Sequence, residues 1–120
     1  MNNIEFSASF KNRTQNFSLR IIKLYKSISG TVDGQVIGKQ LLRSGTSVAA
    51  NYRAACRARS QAEFHSKMSI VVEEADESVF WLELITATGI VPSKQLEPLL
   101  NEANEILSIV AKARKTAKKH

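Results

Sequence analysis

Apolar residues recur along this chain in steps of three and four, the spacing that places side chains on one face of a helix. In the first stretch Phe10, Thr14, Phe17, Ile21, Leu24 and Ile28 share a face. The segment SGTVDG that follows supplies two glycines and Asp33, which predict a stop, a turn and a cap for the next helix. The second stripe is Ile37, Leu41, Ser44, Val48, Asn51 or Tyr52, and Ala55. A third helix opens on Ser60 and Glu63, spaced as a capping box, and carries Phe64, Met68, Val71, Ala75, Ser78, Leu82 and Ile85 inward. Gly89 and Pro92 end it, and Ser93 is placed to cap a fourth helix with the stripe Leu96, Leu99 or Leu100, Ala103, Ile106, Val110 and Ala113. No stretch alternates as a strand would. The pattern predicts an all-α protein, an antiparallel up-down-up-down four-helix bundle forming one domain over residues 1–120, with helices at about 8–29, 34–57, 61–88 and 94–115. The closing KARKTAKKH continues the helical pattern with little to bury, so a frayed basic tail is expected.

Two helices depart from simple amphipathicity. In Gln40–Arg59, together with the turn before it, Gly38, Gly45, Ala49 and Cys56 form a flank of small residues. Each interior glycine costs about 1 kcal/mol relative to alanine, which predicts a neighbouring helix packed close. The third helix is apolar on more than one side: Ile70, Phe80, Trp81 and Leu84 project away from its inward stripe. A bundle of this size has nowhere to bury a second face within itself, so these four residues are the expected oligomer interface.

Charge is distributed unevenly behind the net +6. Residues 1–59 carry ten Lys or Arg against two acids, residues 60–111 carry two against nine, and the last nine residues add five more cations. This asymmetry serves either to pair neighbouring helices or to leave a basic face for phosphates. The single Cys56 excludes a disulfide framework and fits a reducing compartment. No apolar run is long enough for a membrane span and the first residues lack the pattern of a signal peptide, so a cytoplasmic location with no membrane partner is expected.

Candidate chemistry is sparse. His65 and His120 have no companions at metal-ligand spacing, and Cys56 has no paired base. Glu73, Glu74, Asp76 and Glu77, with Glu102 and Glu105 on the next helix, resemble the ligand sets of metal-dependent helical nucleotide hydrolases, but Glu77 and Glu105 point away from the core where such ligands converge. No catalytic residue, no metal and no cofactor are expected. Asn51, on the inward arc, needs partners. With antiparallel packing the acidic cluster is the nearest source, which predicts a structural polar network of Asn51 and Arg53 with Glu73, Glu74 and Glu77.

The motifs Q-L-x-R-S-x-x-S-V-A-A-N at Gln40–Asn51 and E-E-A-D-E-S-x-F-W-L-E-L at Glu73–Leu84 resemble those of the small bacterial proteins encoded in intervening sequences of the 23S ribosomal RNA gene. The chain is also similar to the accessory proteins of diversity-generating retroelements. The match is close over residues 40–85 and looser elsewhere. It implies a ring-like homopentamer of four-helix bundles with a role in binding RNA or DNA and no catalytic residues. Asn51, Arg53, Glu73, Glu74 and Glu77 match the family's polar signature. The family often continues A-N-x-x-E-G, where this chain has Ala50-Asn51-Tyr52-Arg53-Ala54-Ala55, so any role of that acid does not carry over.

Together these features predict a non-catalytic oligomer that binds nucleic acid, structured RNA foremost, through phosphate contacts from Arg20, Lys23, Lys26, Lys39, Arg43, Arg53 and Arg57. The rival from another class is a protein-interaction scaffold that docks an acidic protein partner on the same face. A carboxylate metal-dependent nucleotide hydrolase is the remote third.

Overall fold

The computed structural model describes residues 3–117, and these form four helices joined by short turns: α1 (Asn3–Ile28), α2 (Val32–Cys56), α3 (Gln61–Thr88) and α4 (Ser93–Thr116). The 46 Å long axis is close to the length of a single helix of this size, so each helix runs the length of the body once. Successive helices pack side by side: α1 on α2, α2 on α3, α3 on α4. The result is an antiparallel four-helix bundle. The α2–α3 pair is the most extensive contact and the closing α1–α4 seam the slightest.

The stripes read from the sequence line the core. Phe17, Ile21, Leu41, Val48, Met68, Val71, Leu82, Ile85, Ile106 and Val110 are fully enclosed. Of the two candidates on α2, Tyr52 takes the buried place and Asn51 the edge. Two serines meet in the centre, Ser78 Oγ donating to Ser44 Oγ at 2.9 Å and Ser44 Oγ to the Leu41 carbonyl at 3.2 Å, so these buried hydroxyls are satisfied.

The ends of the helices differ in detail from the expectation. α1 begins five residues earlier than the pattern placed it, because Phe6 stacks on Phe10 at 5.7 Å and extends the stripe by a turn. The cap of α2 is Thr31 and not Asp33: its Oγ1 accepts from Gly34 N at 2.9 Å. Ser60 caps α3 as expected, accepting from Glu63 N at 3.0 Å, but the Glu63 carboxylate reaches Arg59 N and leaves the reciprocal half of the box unmade. Ser93 is the first residue of α4, with Pro92 at the cap position and no side-chain cap. Of the basic tail, α4 carries the helix to Thr116, while Lys118, Lys119 and His120 lie outside the described residues.

Candidate nucleic-acid interface

The basic surface is built on the α1–α2 hairpin, and glycines set how close its two helices come. A Cβ on Gly38 would stand 2.7 Å from the Tyr25 ring, and one on Gly45 would collide with Ile21. Bare backbone at Gly45 also lets Ser18 Oγ donate to the Gly45 carbonyl across the helix pair at 2.8 Å. The flank of small residues therefore faces α1, which identifies the close neighbour the sequence called for.

This tight packing fixes which cations stand side by side. Tyr25 lies against Gly38, and the next residue on each helix, Lys26 and Lys39, is exposed. Near the other end Phe10 meets Tyr52 edge-on at 4.9 Å, and the next residues, Lys11 and Arg53, are exposed in the same way. Lys39 and Arg53 are separated by about 21 Å of helix. Lys23 lies one turn from Lys26, and Arg57 one turn beyond Arg53, both exposed. Among the described residues none of Lys11, Lys23, Lys26, Lys39, Arg53 or Arg57 has an ion-pair partner.

Two of the seven cations named from sequence separate from this group. Arg43 faces α3, where its guanidinium donates to Glu74 at 3.0 Å and closely to Glu77. Glu77 also accepts from the Trp81 indole N–H at 3.2 Å. The hydrogen bond from Arg43, helped by that from Trp81, holds the Glu77 carboxyl below the ordinary glutamate range, and the contacts with Glu77 and then Glu74 push the Arg43 guanidinium up. The favourable ionisation of Glu77 is thus present above the ordinary glutamate pKa and lost as the pH falls through the depressed one. Arg20 is exposed, but it lies two turns from Arg13 on the flank of α1 that faces α4, away from the α2 cations.

The polar network expected around Asn51 takes a different form. The Asn51 amide donates to the Ser47 carbonyl of its own helix at 2.9 Å, Arg53 is unpaired, Glu73 is exposed, and Arg43 holds Glu74 and Glu77. Register explains the difference. The Ser44–Ser78 contact sets the antiparallel alignment, which brings Asn51 opposite Val71 and Arg53 opposite Ser69, about 9 Å and about 12 Å along the axis from Glu77. A second clasp closes the α1–α4 seam. Arg13 grips Glu102 with two bonds of 2.7 Å and Glu105 with one of 2.9 Å, and the pairing with Glu102 above all raises the Arg13 pKa further. Of the carboxylates that resemble a metal-ligand set, Glu74, Glu77, Glu102 and Glu105 are therefore met by a guanidinium, while Glu73 and Asp76 are exposed without an ion pair among the described residues. Among the described residues no group of three or more His, Cys, Asp or Glu side chains is placed to hold a metal ion.

On α3 the residues named as an interface form an outward apolar stripe. Ile70 is 40% and Phe80 52% exposed, Trp81 and Leu84 are half-buried, and Phe80 meets Trp81 edge-on at 4.8 Å. Lys11 is not legible in the sequence as part of this face, because its helical position relative to Arg53 depends on the hairpin register. No described helix is long and apolar enough to cross a membrane.

Fold and surface together define a small helical bundle with one cationic hairpin and one apolar–acidic helix face. The family model of the 23S rRNA-intervening sequence protein matches residues 8–112, and the chain belongs to that family. It is similar to a solved structure from Bacteroides thetaiotaomicron, a protein of unknown function from the S23 ribosomal protein family, with 39% identity and a TM-score of 0.82 over 88% of this chain and 98% of that one. No curated protein matches the chain.

Proposed function

We propose that the protein is a non-catalytic homo-oligomer, a pentamer, that binds structured RNA through phosphate contacts from the α1–α2 hairpin. The observation that carries this reading is the division of labour among the cations. Arg13 and Arg43 are taken up by carboxylates of α4 and α3, whereas Lys23, Lys26, Lys39, Arg53 and Arg57, with Lys11, stand exposed and unpaired on one hairpin. Isolated surface cations at this density repel one another and are relieved by a polyanion. Oligomerisation repeats the face and multiplies a modest affinity. The apolar stripe of Ile70, Phe80, Trp81 and Leu84 is the surface for that assembly, and the pentameric number comes from the family resemblance alone. No base-reading motif accompanies the cations, so recognition is of backbone shape and charge.

The test is the affinity of an RNA hairpin for the wild-type protein and for two variants. Lys39→Glu with Arg53→Glu is expected to weaken binding at least tenfold, and Arg43→Gln to change it less than twofold. Equal affinity of the wild type and the Lys39–Arg53 double variant sinks the assignment. Tight binding of poly-glutamate in place of RNA favours the scaffold reading with an acidic protein partner.

A further inference from the structure

The end of the bundle where α1 begins and α4 finishes holds a groove of about 930 Å³ that the reading above does not use. It exists because the α1–α4 seam is clasped by Arg13 on Glu102 and Glu105 and, past that clasp, the first turns of α1 and the last turns of α4 stand apart. One wall is aromatic: Phe6 stacked on Phe10, and Phe10 edge-on to Tyr52. The floor is Phe64, Met68 and Val110, and Met68 and Val110 are fully enclosed beneath the surface. Within the lining the Tyr52 hydroxyl is engaged with the Cys56 thiol and with Ser7. Burial, chiefly, pushes the Tyr52 phenol up to about 12, so it remains neutral.

The rest of the polar lining is Asn3, Ser60, Gln61 and Thr116 with two exposed cations at the mouth, Arg59 and Lys112, and no acidic residue is among those lining the groove. Arg59 is shared only loosely with Glu63, at 3.6 Å on the surface. The volume lies within the range of small-molecule sites, which combine an apolar interior with a few orienting polar groups. A deep floor without free hydrogen-bond partners disfavours a nucleobase, whose ring edges would lose water without replacement. An alkyl chain loses nothing there, and the two cations at the mouth match an anionic head.

We propose that this groove binds an amphiphilic anion, an aliphatic chain of about ten carbons ending in a carboxylate, with the chain over Met68 and Val110 and the head between Arg59 and Lys112. The site adjoins the cationic hairpin face, with Arg59 two residues beyond Arg57, but shares no cation with it, so its failure and the failure of RNA binding are read independently.

The experiment titrates full-length protein with decanoate, with decanol and with AMP, by calorimetry below the micellar concentration, and follows the Met68 methyl resonance. Decanoate is expected to bind once per chain and shift that resonance, decanol to bind more weakly, and AMP to leave it unmoved. Arg59→Glu with Lys112→Glu, both on the surface, is expected to weaken decanoate at least tenfold and decanol less than twofold. Ala113→Phe, which fills the groove, is expected to abolish both. Absence of decanoate binding, equal affinity of wild type and charge variant, binding that survives Ala113→Phe, or displacement of decanoate by AMP overturns the proposal.

Discussion

Gly34→Ala is expected to cost about 2 kcal/mol or more of folding stability, read by chemical denaturation, while Gly30→Ala four residues earlier changes it by less than about 0.5 kcal/mol. The reason is local. Gly34 sits in the first turn of α2, where Thr31 Oγ1 accepts its N–H and the chain has just left α1. A Cβ there would stand 2.7 Å from Thr31 Oγ1 and 2.8 Å from the Ile28 carbonyl carbon, and closer still to the Ile28 oxygen. These are a cap and a backbone, and neither can swing aside as the end of a long side chain can. The gain of about 1 kcal/mol in helix propensity from removing a glycine is smaller than the displacement of a helix terminus. At Gly30 an added Cβ meets nothing within 4 Å. Equal stability of the two variants would show that the α1–α2 turn is not packed as described.

Two phenylalanines separate folding from assembly. Phe17 is 1% exposed in the middle of α1, and Phe17→Ala removes a full aromatic ring from a core that cannot collapse around it, at about 3–5 kcal/mol. Small domains have about 5–15 kcal/mol in all, so this variant is expected to be partly unfolded near 37 °C by circular dichroism. Phe80 is more than half exposed on α3. Phe80→Ser is expected to keep its helical signal and to lower the solution mass toward the 13.3 kDa of one chain. Loss of helicity in Phe80→Ser with unchanged mass would place Phe80 in the fold and not in the interface.

The sequence makes helix faces legible because each inward stripe depends only on spacing along one helix. Phe10, Phe17, Ile21, Leu41, Val48, Met68, Val71, Leu82, Ile106 and Val110 all come from that rule. The Ser60 cap is equally local. What depends on how two helices slide past one another is not legible. Arg43 and Arg53 look alike in sequence, both on the back of α2, yet Arg43 is met by Glu74 and Glu77 and Arg53 is free, a difference set by the register that the Ser44–Ser78 contact establishes. The small flank was readable from Gly38 and Gly45, but not the role of Gly34, which arises from the path of the turn. The end groove was invisible for the same reason, since it is created by the divergence of α1 and α4 past Arg13 and not by any motif.

If the exposed cations of the α1–α2 hairpin contact phosphates as proposed, RNA binding must depend steeply on salt. About four phosphate contacts from one hairpin give a slope near −3 in log affinity against log salt, so affinity should fall about 60-fold between 50 and 200 mM. Engagement of several copies would steepen the fall further. The same measurement on Lys39→Glu with Arg53→Glu should give a visibly flatter line. A wild-type affinity that changes less than twofold over this range would rule out phosphate contacts from this face.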